Sequence, residues 1–111
     1  MGQMIFEEFQ EISAETAIYS KQWSMMYPAL GLAGEAGEVC NKVKKIFRDE
    51  DGHLADEVRE ALAKELGDVL WYISALATDL DLNLDDIARG NRDKLESRHK
   101  RGVIGGSGDN R

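Results

Sequence analysis

Apolar side chains recur at three- and four-residue intervals along most of this chain, and the strict alternation of a half-buried strand is nowhere visible. The spacing predicts a first helix over residues 4–21. Ile5, Phe9, Ile12 and Thr16 form its stripe, and Glu7, Glu8, Glu11 and Glu15 cover the outer side. A break is expected at residues 22–27. Pro28, the only proline, suits the first turn of a second helix that runs to about residue 47 or 48. Asp49-Glu50-Asp51-Gly52-His53 is a polar loop carrying a turn glycine. A third helix then runs from about residue 55 or 56 to 79 or 80, with Val58, Leu62, Leu66, Val69, Leu70, Ile73, Leu76 and Leu80 on a wide apolar face. After a short turn, Asn83 or Asp85 caps a fourth helix that continues to about Arg101.

The fold class is therefore all-α, with short connections making neighbouring helices antiparallel. Residues 1–101 form the helical domain. Residues 102–111, rich in glycine, read as a flexible tail that lacks the strand–loop–helix setting and lysine of a phosphate loop. Four short helices cannot cover both sides of so apolar a third helix, so the bundle is expected to be completed by homo-oligomerisation.

Two pairs of carboxylates sharpen the picture. Glu35 and Glu38 lie in the second helix, Glu65 and Asp68 in the third, and each pair is three residues apart. Residues at that spacing share a helical face. Glu38 precedes the loop by about as many residues as Glu65 follows it, so at ~1.5 Å of rise per residue the pairs come level across the hairpin. Four ionised carboxylates gathered beside a core repel one another unless a cation sits between them. Hard oxygen ligands suit Mg²⁺ or Mn²⁺, and Mg²⁺ with open positions commonly meets phosphate. The plainer reading is two solvated helix faces with partners such as Lys42 and Lys64. Against it, Glu65 and Asp68 alternate with Leu66, Val69 and Leu70 in the most apolar stretch of the chain.

Gly31, Gly34 and Gly37 recur at every third position of the second helix. Each costs roughly 1 kcal/mol of helix propensity, which is intelligible where a backbone or a ligand must come close. A late helix start is the other explanation. In the fourth helix Leu84, Ile87, Asn91, Lys94, Arg98 and Arg101 fall on one stripe that begins apolar and turns basic. Asn91, Lys94 and Arg98 could present a donor and two cations to a polyphosphate, or simply complement the helix C-terminus. The same two readings apply to Lys45, seven residues beyond Glu38. Trp23 and Tyr72 are candidates to face a nucleobase, although aromatics are more often core packing. Trp71 reads as core. His53 and His99 have no ligand partner at usable spacing.

The net charge of −7 divides into −11 over residues 1–88 and +4 over residues 89–111. An acidic bulk argues against wrapping a nucleic-acid polymer, and no apolar run approaches the roughly 20 residues of a membrane span. The N-terminus lacks a signal-peptide pattern, and Phe6 stands where myristoylation at Gly2 needs Ser or Thr. A lone cysteine, Cys40, excludes an internal disulfide and fits a reducing cytoplasm. It reads as a small buried apolar filler.

Glu35-x-x-Glu38 followed by Glu65-x-x-Asp68, with Leu32, Gly37, Val39, Leu66, Val69, Leu70 and Tyr72 around them and Asn91-x-x-Lys94-Leu95-x-x-Arg98 beyond, resembles the MazG-like nucleotide pyrophosphohydrolases of the all-α NTP pyrophosphatase superfamily. The resemblance covers residues 25–101. It implies hydrolysis of a (d)NTP to (d)NMP and pyrophosphate in nucleotide-pool house-cleaning, with Mg²⁺ on Glu35, Glu38, Glu65 and Asp68. It also implies a dimer or dimer of dimers with nucleotide sites near subunit interfaces. Glu35 and Glu38 are then the catalytic candidates and Lys94, Asn91 and Arg98 the phosphate holders. One departure is Gly34, where the family commonly has a further Glu. A phosphoribosyl-ATP pyrophosphohydrolase and a non-catalytic helical oligomerisation or regulatory module are the alternatives.

Overall fold

The polar loop at residues 49–53 folds the centre of the chain into a long hairpin, and the other helices are arranged around it. In the computed structural model, which describes residues 4–111, the helices are α1 (Phe6–Thr16), α2 (Met26–Asp49), α3 (Asp56–Asp79) and α4 (Leu84–Lys100). A single 3₁₀ turn at Lys21–Trp23 precedes α2, and no strand occurs among the described residues. Residues 1–3, including Gly2 and the start of the expected 1–101 domain, lie outside them. No helix among the described residues is long and apolar enough to cross a membrane.

The α2–α3 hairpin is the most extensive helix pairing, α1 packs on α3 and α4, and α4 meets the end of α3. Gly31 sets the register. A Cβ there would overlap Cε1 of Tyr72, so only glycine lets the Tyr72 ring lie on α2. A Cβ at Gly34 or Gly37 would meet nothing within 4 Å, so close approach within the chain accounts for Gly31 alone.

Helix α1 ends at Thr16, short of the expected residue 21. Long-range bonds compete with the next turn. Thr16 Oγ1 accepts from Trp71 Nε1 at 2.7 Å, and Tyr19 donates to Asp79 Oδ2 at 2.8 Å and stacks on Tyr27 with centroids 4.6 Å apart. Asp79 Oδ2 also accepts from the backbone N–H of Met25 at 2.8 Å. Met25 has φ 65° and holds the N-terminal end of α2 without a side-chain cap. Burial and the neighbouring Asp79 push the Tyr19 phenol up to about 12, so this anchor stays a hydrogen-bond donor at any physiological pH. In the middle of α1, Gln10 accepts from the backbone N–H of Leu84 at 2.8 Å and donates to Leu82 O and Thr78 Oγ1 at 2.9 and 3.0 Å. Asn83 caps α4, its side-chain oxygen accepting from Asp86 N at 3.1 Å.

The core of one chain is thin. Its buried hydrophobic residues, among those described, are Ile46, Ala75, Ala77 and Leu84, and Leu66 and Leu70 of α3 remain 52% and 42% exposed. The radius of gyration is 16.9 Å, against about 13 Å for a compact chain of this length. Cys40 is exposed rather than buried.

Gly31→Ala is expected to lower stability by about 1–3 kcal/mol, because the Tyr72 ring must move. Gly90→Ala, in open space on α4, should instead raise it by up to about 1 kcal/mol. Urea unfolding followed by circular dichroism distinguishes the two signs.

Candidate metal and nucleotide site

Three of the four carboxylates converge. Glu35 of α2 and Glu65 and Asp68 of α3 each offer an oxygen within 4.8 Å of the others. The register explains this meeting: with Gly31 against Tyr72, the next turn of α2 brings Glu35 against the preceding turn of α3. Glu38 lies a turn further along α2, exposed and outside this group, although its charge still acts on Glu35.

Glu35 is the strained member. Its Oε2 is closed off from solvent and has no hydrogen-bond partner. A shared hydrogen bond with Glu65, then desolvation, then the charges of Glu65, Asp68 and Glu38 hold its carboxyl above the ordinary value of 4.5. The one cation reaching the group among the described residues is Lys42, whose Nζ stands 3.8 Å from Glu65. A single half-exposed ammonium at that distance offsets little of the repulsion.

A divalent cation fits this arrangement. Oxygen donors converge from two rigid helices, and the orphaned Glu35 oxygen needs a positive partner that the polypeptide does not provide. Beside the group lies an open pocket of about 320 Å³ lined by Glu35, Asp68, Trp71 and Tyr72. Tyr72, a candidate from its place one turn beyond Asp68, is thus in the pocket wall. Trp71 joins it, which its apolar surroundings along the chain concealed. The rings meet edge to face at 5.1 Å, and Tyr27 continues the aromatic row at 6.3 Å from Tyr72.

The remaining candidates lie elsewhere in the single chain. Trp23 is exposed in the 3₁₀ turn and does not line the pocket. Lys45 lines a different pocket near the hairpin loop, with Lys42, Asp49 and Glu57. Asn91 is exposed on α4. Lys94 and Arg98 are drawn together by Asp109, a residue that no motif or spacing singles out.

A carboxylate group on a helical hairpin beside an aromatic-lined pocket defines an all-helical protein with a candidate cation site. Comparison with known proteins narrows it. A family model described as the MazG nucleotide pyrophosphohydrolase domain matches residues 24–103, and the chain belongs to that family. The Gene 37 protein of Mycobacterium phage L5 is 49% identical over 109 residues, spanning 93% of this chain and 96% of that protein. No solved structure matches.

A carboxyl whose folded pKa is raised favours the folded state only while it is protonated. Its penalty is absent below 4.5 and grows as pH rises from there through the folded value. In a chelating buffer the melting temperature should therefore fall as pH rises above 4.5, and Glu35→Gln should flatten that fall. Adding Mn²⁺ at about pH 7.5 should raise the wild-type melting temperature by several degrees, with little effect on Asp68→Asn. An unchanged melting temperature in the wild type would count against cation binding.

Proposed function

We propose that this protein hydrolyses nucleoside triphosphates, ribo- or deoxyribo-, to the nucleoside monophosphate and pyrophosphate, and serves nucleotide-pool house-cleaning in the cytoplasm. The observation that carries the reading is the meeting of Glu35, Glu65 and Asp68 around an orphaned carboxylate oxygen, inside a domain of the MazG nucleotide pyrophosphohydrolase family.

Glu35, Glu38, Glu65 and Asp68 would hold Mg²⁺, or Mn²⁺ in its place. When bound, the ion neutralises charge on the polyphosphate and acidifies a water. The chain's own groups account for the rest. Glu38, exposed one turn beyond Glu35 on α2, accepts a proton from the attacking water, with Glu35 as the alternative acceptor. The new bond joins that water oxygen to the α-phosphorus, and the bond to the α–β bridging oxygen breaks. Lys94, Asn91 and Arg98 hold the departing pyrophosphate, with Lys45 as a further cation. Tyr72 offers a face to the base, and Trp23 is assigned the same role from its position before α2.

These cations do not line the carboxylate pocket of a single chain. The reading therefore needs a homodimer or a dimer of dimers in which the two halves of the site meet near a subunit interface. The exposed Leu66 and Leu70, interleaved with Glu65 and Asp68, and the large radius of gyration support such an assembly. No nucleic-acid polymer or membrane is needed as partner.

Two outcomes are expected. Glu38→Gln and Asp68→Asn should each reduce pyrophosphate release at least about a hundredfold across a panel of NTPs and dNTPs with Mg²⁺, with unchanged helical circular dichroism. Turnover near wild type in either variant would remove the site assignment. Sedimentation at micromolar concentration should give twice or four times the 12.4 kDa chain mass, and a monomer would contradict the shared site.

A further inference from the structure

The last ten residues fold back onto α4 instead of trailing from it. Gly102, Gly106 and Gly108 take φ of 72°, 96° and 87°, backbone conformations that turn the chain sharply and that other residues rarely adopt. The Arg111 guanidinium gathers the turn from within, donating to Val103 O at 3.3 Å, to Gly105 O and Ile104 O at 3.0 Å, and to Gly108 O. Arg101 Nη2 donates to Arg111 O at 2.8 Å and closes the loop against the helix.

This loop delivers one carboxylate to two cations. Asp109 Oδ1 accepts from Lys94 Nζ at 2.7 Å and from Arg98 Nη2 at 3.3 Å, and the Asp109 carbonyl accepts from Arg98 Nη2 at 2.6 Å. Arg98 is only 5% exposed, and its Nε is buried with no partner among the described residues. The site thus offers more donors than one carboxylate uses: a buried guanidinium, a partly exposed ammonium, and an unused N–H. Phosphate groups, with three oxygens each, match such a set better than Asp109 does. Lys94 first and then Arg98 hold the Asp109 carboxyl below its ordinary range, so it is a full anion at neutral pH. The carboxylate itself is 76% exposed, so it can leave without opening any core.

We propose that Asp109 is a built-in competitor for the polyphosphate: the C-terminal loop fills the Lys94–Arg98 subsite with its own anion and swings away when pyrophosphate groups take its place. The proposal rests on the reading above that Lys94 and Arg98 hold phosphate. A docked loop lowers apparent affinity by the fraction of molecules in which the subsite is free. Removing the exposed Asp109 carboxylate from these two ion pairs should accordingly tighten binding about three- to tenfold.

The test is calorimetric titration of the full chain with inorganic pyrophosphate in the wild type, Asp109→Asn, Arg111→Ala and Lys94→Ala. The expected result is tighter binding by both Asp109→Asn and Arg111→Ala, weaker binding by Lys94→Ala, and a lower KM for nucleoside triphosphate in Asp109→Asn. In the wild type, saturating pyrophosphate should move the amide NMR signals of Gly106 and Gly108 to random-coil positions. If Lys94→Ala weakens binding but Asp109→Asn leaves it unchanged or weakens it, Asp109 positions Arg98 and the competition is refuted while the phosphate reading stands. If Lys94→Ala has no effect on pyrophosphate, the phosphate reading fails and the proposal falls with it.

Discussion

Like charges brought within touching distance by two rigid helices are the constraint on which the rest of this structure depends. Glu35, Glu65 and Asp68 cannot all ionise comfortably with their oxygens inside 4.8 Å of one another. The hairpin nevertheless holds them there, and the contact of the Tyr72 ring with Gly31 locks its register one turn away. Such an arrangement raises the energy of the chain while the carboxylates lack a positive partner. Oxygen donors converging from two helices are a set that suits a divalent ion.

The architecture around the hairpin serves the same end. Asp79 ties Tyr19 and the backbone of Met25 to α3, which fixes the entry of α2. Gln10 ties α1 to the turn leading into α4. These polar ties compensate for a sparse interior whose largest fully buried side chains are Pro28, Ser13 and Ser74. In a single chain the core is small, and Leu66 and Leu70 of α3 remain exposed.

Much of this was legible in the residues. The 49–53 loop, α2, α3 and the Asn83 cap of α4 lie where turn residues, periodicity and capping chemistry put them, while of the two acidic pairs Glu35, Glu65 and Asp68 converge and Glu38 stays outside their group. What escaped are features decided by partners far away along the chain. Helix α1 stops early because Trp71 and Asp79, 55 and 60 residues downstream, claim Thr16 and Tyr19. Of three regularly spaced glycines only Gly31 meets another side chain, and nothing local distinguishes it from Gly34 or Gly37. Cys40 sits on an exposed side of α2 because apolar character alone does not say which face a residue takes. The burial of Arg98 follows from a loop that glycine content alone presented as a free tail.

The most direct test of the central idea is anomalous diffraction from crystals grown with Mn²⁺. The account requires one strong peak between α2 and α3, within about 2.0–2.3 Å of oxygens from Glu35, Glu65 and Asp68. Carboxylates pointing apart with manganese bound only at other surfaces, or at no ordered position, would contradict it.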